Sequence, residues 1–301
     1  MPPHNSRPAV FAILFMQATL ALAQPPSCTS AQCQSEIYSD AATPLSQPLA
    51  GHTRSVFVPN SHALIDPNSR VFGAPFPGWK GSVSAAAVVT PALGAHFTMY
   101  IANATGPSTL PQPVSFEASA PSLERLIFVL TGSLTVNNAS DTTTLTSGSF
   151  VYIAPLEDNL SISVSDAAVF IQIDKNHALD DYAPSVIGSE KHTPVEITAG
   201  EHFQLRRLLD PTNPSYDFNI HIMDFEPGQY LNVNELHYNQ HGLLMLRGFG
   251  IYRLANAYFH VSTGDVIYMA PFVPQWYAAL GTQPTRYFLY KDTNVDPLIH
   301  Y

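Results

Sequence analysis

The chain repeats itself. Leu126-Ile-Phe-Val-Leu-Thr-Gly132-Ser-Leu-Thr-Val136 lies over Gly242-Leu-Leu-Met-Leu-Arg-Gly248-Phe-Gly-Ile-Tyr252 at an offset of 116 residues. The same offset sets Gly148-Ser-Phe-Val-Tyr-Ile-Ala-Pro155 on Gly264-Asp-Val-Ile-Tyr-Met-Ala-Pro271 without a gap. Matches at glycine, proline and tyrosine mark turns and buried aromatic positions, so the two halves share one backbone path. Each half reads as short apolar runs bounded by Gly, Asn and Pro, the pattern of many short strands. Such strands at this density imply antiparallel sandwiches or barrels, one per half. The expected fold class is all-β, with two barrels in one chain.

The expected organisation follows from the repeat and its flanks. Ala9 to Ala23 is an apolar run preceded by Arg7 and ending in Ala21-Leu22-Ala23, a small-x-small cleavage pattern. Residues 1–23 are expected to be a signal peptide, since the run is shorter than the ~20 residues a spanning helix needs. That directs the chain to the secretory pathway, with the endoplasmic reticulum as the expected location. Residues 24–50 form a lead-in that carries Cys28 and Cys33, which could pair with each other or between subunits. Residues 51–180 and 181–301 are the expected N-terminal and C-terminal barrels. No membrane contact is expected after cleavage. A net charge of −10 with no basic run argues against nucleic acid as a partner. Three glycosylation sequons begin at Asn103, Asn138 and Asn159.

Chemistry concentrates in Gly228-Gln-Tyr-Leu-Asn-Val-Asn-Glu235-Leu-His237-Tyr-Asn-Gln-His241-Gly242. In an extended chain, side chains at i, i+2 and i+6 share a face. Glu235, His237 and His241 have that spacing, so a strand would aim one carboxylate and two imidazoles into the barrel. Such a set suits a borderline or hard divalent ion. The fourth group is expected from the strand that ends at Met269-Ala-Pro271-Phe-Val-Pro-Gln275, with Gln275 as its polar residue. A His-x3-His pair on a helix is the competing reading, and Gly242 with the following Leu-Leu-Met-Leu run argues for a strand. Ordinary surface histidines are the blander alternative.

The repeat supplies an internal control. The same four positions in the first half are Ser119, Pro121, Arg125 and Asn159. Proline has no ligand atom and arginine is a fixed cation, so the N-terminal barrel is expected to be metal-free and structural. Further on, Tyr287 and Lys291 share one strand face. An inward cation needs an anion or ligand; the alternative is that Lys291 ends the strand in solvent.

With these residues in place, the chain resembles the cupin superfamily and, within it, the (S)-ureidoglycine aminohydrolase family. The resemblance is carried by Glu124-Arg-Leu-Ile-Phe-Val129, Tyr216-Asp-Phe-Asn-Ile-His221, Glu235 to His241, Met269-Ala-Pro-Phe-Val-Pro-Gln-Trp-Tyr-Ala-Ala-Leu280 and Tyr290-Lys-Asp292. It runs from about residue 52 to residue 292. Against the general cupin pattern of His-x-His, Glu and a later His, this site puts Glu235 first, His241 in the Glu place and Gln275 last. That departure is shared with the aminohydrolases. The resemblance implies one Mn2+ per chain, in the C-terminal barrel, on Glu235, His237, His241 and Gln275. It implies substrate contacts at Glu235, Gln275, Tyr287, Lys291 and Tyr252. The implied reaction is hydrolysis at a C–N bond: (S)-ureidoglycine and water give (S)-ureidoglycolate and ammonia, a step of allantoin and purine catabolism. Glu235 is the candidate proton shuttle and Lys291 the candidate carboxylate anchor. Two rivals stand beside this reading. One is another metal-dependent cupin enzyme, an oxygenase or isomerase; the other is a non-catalytic storage or binding protein. Pairing through sheet edges makes a homo-oligomer the expected assembly.

Overall fold

A computed structural model describes residues 54–73, 76, 78–110, 123–138 and 141–296. The expected signal peptide, Cys28, Cys33, Ser119 and Pro121 lie outside the described residues. Runs rich in Val, Ile, Leu, Phe and Tyr favour extended backbone, and the described residues form strands and short 3-10 turns. No helix among them is long and apolar enough to cross a membrane. In chain order the strands are β1 (Val56–Val58), β2 (His62–Ile65), β3 (Lys80–Val89), β4 (Phe97–Leu110), β5 (Leu123–Asn138), β6 (Asp141–Thr146), β7 (Ser149–Ile153), β8 (Ser161–Val164) and β9 (Ala168–Asn176). They continue with β10 (Val186–Ser189), β11 (Gln204–Arg207), β12 (Phe218–Phe225), β13 (His241–Arg247), β14 (Phe249–Leu254), β15 (Ala257–Ser262), β16 (Val266–Met269), β17 (Gln275–Leu280) and β18 (Thr285–Asp292).

The repeat seen in sequence is a repeat of hydrogen-bond register. Arg125 opposes Ile153 across β5–β7, and His241 opposes Met269 across β13–β16, both members displaced by the same offset. The ladder shifts register between Val129 and Thr131 in the first half and between Met245 and Arg247 in the second. Left-handed backbone recurs at Gly132 and Gly248, at Gly148 and Gly264, and at Leu156 and Phe272. At Gly132 a Cβ would stand 2.1 Å from the carbonyl oxygen of Ala167, so no other residue fits that bulge.

The described strands form three sheets. An eight-stranded sheet, β10-β7-β5-β8-β4-β3 with β6 and β9 branching from it, makes the first barrel. The second is made by a seven-stranded sheet, β1-β2-β16-β13-β18-β12-β11, and a three-stranded sheet, β15-β14-β17. Two elements cross the boundary drawn from sequence at residues 180 and 181. β1 and β2 come early in the chain but pair with β16 of the second barrel. β10 comes after the boundary but pairs with β7 of the first. The second barrel's β16 is thus covered by a segment from the start of the chain and the first barrel's β7 by one that follows its other strands, so neither is left as an open edge.

Three apolar clusters fill the molecule. One occupies the first barrel and includes Ile127, Val129 and Trp79. One occupies the second and includes Leu243, Met245 and Tyr287. The third lies between the barrels and joins Leu126, Phe128 and Phe97 to Leu244, Leu246, Phe288 and Tyr290. Adjacent residues of β5 and β13 point alternately into a barrel and into the joint. Both faces are dry, which is why these strands read as unbroken apolar runs rather than alternating ones.

Candidate active site

The second barrel holds a cavity of about 480 Å³ lined by Glu235, His241, Tyr252, Gln275, Tyr287, Lys291, Asn219 and His221, among others. Its wall is set by register. Asn219 of β12 and His241 of β13 both oppose Lys291 of β18, so these three form one inward layer. His221 and Leu243 oppose Leu289 in the next layer, and Met223 and Met245 oppose Tyr287 in the one after.

The carboxylate and the first imidazole arrive by a route different from the one expected. The spacing predicts Glu235 and His237 on a strand continuous with His241, but β13 begins only at His241. Before it the chain touches the sheet at two isolated bridges, Tyr230 to Ala278 and Glu235 to Gln275. Pro227-Gly228 and the bends at Asn232 and Val233 break the run between them. Glu235 and Gln275 exchange both backbone hydrogen bonds, at 2.9 and 3.0 Å, which holds their side chains side by side. Gln275 likewise does not end a strand: β16 stops at Met269, the chain turns through left-handed Phe272, and Gln275 opens β17. The Phe272 N–H donates to the His237 carbonyl at 2.9 Å, tying the turn to the loop that carries the imidazole.

All four side chains converge. Gln275 Nε2 lies 3.1 Å from His237 Nε2 and 3.3 Å from His241 Nδ1. Glu235 Oε2 lies 3.6 Å from His237 Nε2. Donor atoms around one divalent ion at ~2.1 Å stand ~3.0–3.4 Å apart for octahedral to tetrahedral angles. The two Gln275–imidazole separations are of that size and the Glu235–His237 one is longer, so His237, His241 and Gln275 are spaced as ligands of one cation with the Glu235 carboxylate at its side. Burial, with Lys291, His237 and His221 nearby, keeps His241 far below the usual imidazole pKa, hence neutral with a lone pair to give. The Tyr252 hydroxyl donates to Gln275 Oε1 at 3.1 Å. Because the two ends of a carboxamide are nearly isosteric, the amide oxygen can face the imidazoles while its nitrogen meets Tyr252.

Lys291 and the two tyrosines complete the cavity. Burial lowers the Lys291 pKa, opposed by the Glu235 carboxylate. Burial raises those of Tyr252 and Tyr287, and Glu235 raises both further, so both phenols stay protonated donors. Among the described residues no carboxylate forms an ion pair with Lys291. Reading the sequence missed Asn219 and His221. The signal was present, since Asn219-Ile-His221-Ile alternates polar and apolar at strand period.

The corresponding place in the first barrel is occupied by protein. Arg125, the counterpart of His241, makes a two-bonded ion pair with Asp174 at 2.6 and 3.0 Å. Gln172 donates to Asp174 and accepts from Trp79 Nε1 at 3.0 Å. Asn159, the counterpart of Gln275, is exposed.

A second cluster of ligand-type groups lies between the barrels and was not anticipated. Glu124, His177 and Asp217 place one ligand atom each within 4.8 Å of one another, a spacing a metal could use. Lys175 already sits there, hydrogen-bonded to Asp217 and 3.9 Å from Glu124 Oε1. A divalent ion added to two carboxylates and a buried ammonium would leave an uncompensated positive charge. Lys175 therefore fills the cationic role in this cluster.

Two antiparallel barrels in one chain, one filled and one holding a convergent carboxylate–imidazole–amide set, define a two-barrel cupin enzyme. No family model matches the chain. It is 45% identical over 258 residues to (S)-ureidoglycine aminohydrolase of Arabidopsis thaliana, covering 84% of this chain and 82% of that one. It is 48% identical over 256 residues to the protein assigned the same activity in Oryza sativa subsp. japonica, covering 84% and 79%. A solved glyoxylate-induced protein from Pseudomonas aeruginosa shares the fold, with a TM-score of 0.70 over 83% of this chain and 94% of that one, at 23% identity. The chain belongs to the (S)-ureidoglycine aminohydrolase family, a family of hydrolases.

Proposed function

We propose that this protein hydrolyses (S)-ureidoglycine to (S)-ureidoglycolate and ammonia with one Mn2+ held by Glu235, His237, His241 and Gln275. The observation that carries the reading is that Glu235, His241 and Gln275, with His237 beside them, line the cavity that also holds Lys291, a largely desolvated ammonium with no ion-pair partner among the described residues. The substrate carbon bears a carboxylate, an amine and a ureido nitrogen. Lys291 and the Tyr287 hydroxyl offer charge and a donor to the carboxylate, which gives the ammonium the anion it lacks. A divalent ion held by these residues would supply Lewis acidity at the substrate carbon's substituents. Glu235 accepts a proton from the incoming water and returns one to the departing amine, so ammonia leaves as the C–O bond replaces the C–N bond. Coordination to a cation lowers the basicity of Glu235, which suits a shuttle more than a strong base. The closed barrel around His241, Tyr252 and Tyr287 limits access by other water.

The test is elemental analysis of the purified protein together with an ammonia-release assay on (S)-ureidoglycine. One equivalent of manganese and ammonia release that chelation abolishes are expected. Metal-independent release, or none with full metal occupancy, would overturn the reading. A homo-oligomer and residence in the secretory pathway are part of the same proposal.

A further inference from the structure

Lys291 accounts for the carboxylate of an amino acid, and the carboxylate of Glu235 attracts its amine. Nothing in that description accounts for the ureido group. The layer between Lys291 and Tyr287 is the place left for it. Leu289 and Leu243 make that layer apolar on two strands, and Arg207 and His221 make it polar on the other two. Arg207 is committed, with its Nη2 2.9 Å from Glu196. His221 is not: among the described residues no protein group hydrogen-bonds its ring.

We propose that His221 recognises the carbamoyl end of the substrate and sets the selectivity of the site for ureido acids over simple carboxylic acids. This deepens the aminohydrolase reading and rests on it for the identity of the substrate. A neutral imidazole carries one N–H donor and one lone-pair acceptor. A carbamoyl group presents the complement, a carbonyl that accepts and an NH2 that donates. Burial, together with the positive charges of Lys291 and Arg207, pushes the imidazole down to about 3, so it remains neutral at physiological pH. His221 lies two residues along β12 from Asn219, which opposes Lys291. That is ~6.7 Å of strand, enough for a ligand to hold its carboxylate on one layer and its carbamoyl group on the next. Three substituents then meet three chemistries: carboxylate at the ammonium, amine toward Glu235, carbamoyl at the imidazole. Such an arrangement distinguishes the two hands of a tetrahedral carbon.

The probes are ureidoacetate, which has the carboxylate and the carbamoyl group, and acetate, which has the carboxylate alone. Their binding to the Mn2+-loaded full chain is measured by calorimetry. The wild type should prefer ureidoacetate. His221→Phe should weaken ureidoacetate ~10–100-fold, the loss expected when a polar ligand group is buried without its partner, and leave acetate within about twofold. His221→Gln, which keeps a donor and an acceptor, should restore part of the preference, and it serves if the Phe variant fails to fold. In turnover His221→Phe should raise KM more than it lowers kcat. Equal loss of both probes, an unchanged ureidoacetate affinity, or no preference in the wild type would each overturn the proposal. The aminohydrolase reading is judged separately, by ammonia release from the wild type, so the two can fail independently.

Discussion

Replacing Lys291 by methionine should make the protein more stable and worse at binding its substrate. Lys291 is largely desolvated, opposes His241 and Asn219 across the sheet, and has no ion-pair partner among the described residues. Removing the ammonium while keeping a chain of similar length relieves the cost of holding a buried charge. The folded-state pKa lies below the unfolded one, so the wild-type deficit is full at neutral pH. It closes as pH rises through the lowered folded-state value toward the unfolded one. Binding moves the other way. A carboxylate ~4 Å from the ammonium at an effective dielectric of about 20 gains ~4 kcal/mol. Desolvating the ligand returns part of that, leaving roughly 2–3 kcal/mol, or ~30–150-fold in affinity. Denaturant unfolding of the metal-free form at pH 7.5 and steady-state KM on (S)-ureidoglycine read the two effects. A Lys291→Met variant that is less stable than wild type would mean the lysine already has an anion in the resting protein. An unchanged KM would mean it does not anchor the carboxylate. Either result refutes the reasoning.

Other perturbations test separate parts of the structure. At Gly242 a Cβ would stand 2.8 Å from the Phe97 ring, which reaches across from the first barrel and stacks on Tyr290. Gly242→Ala should therefore cost ~1–3 kcal/mol and loosen His241 beside it, lowering metal retention as read by elemental analysis after dialysis. Burial raises Glu124 to about 7, and at His177 the contacts with Glu124 and Asp217 outweigh burial and raise it as well, so the fold is favoured at low pH and loses that advantage as pH climbs from the ordinary carboxylate range past about 7. The stability difference between wild type and Glu124→Gln should accordingly fall by ~3 kcal/mol between pH 5 and pH 8.5; a pH-independent difference in urea midpoints would contradict this. If the chain enters the secretory pathway, endoglycosidase should shift its mass through Asn138 and Asn159, which are exposed. Asn103 should stay unmodified, because it is half-buried in β4 between β3 and β9; a glycopeptide at Asn103 would mean that strand forms late or not at all.

The sequence by itself determined the all-β class, the two-fold repeat and the four candidate ligands. These are local properties: glycine is the residue that tolerates the bulges at 132 and 248, and apolar runs bounded by turn residues favour strands wherever they stand. It also places Arg125, a fixed cation, at the position of the first half that corresponds to His241. What only the tertiary structure decided depends on which distant segments meet. No pattern within residues 56–65 says that they close the second barrel rather than the first, or that 186–189 close the first. Glu235 and His237 reach the site from a loop bridged to Gln275, because the partner supplying that bridge lies 40 residues onward. Whether Lys291 faced solvent or a cavity was equally open in sequence, and so was the joint that buries Glu124 and Lys175 against Asp217. The free energy of a charge is set by what surrounds it, and its surroundings come from parts of the chain that are remote until the barrels have formed.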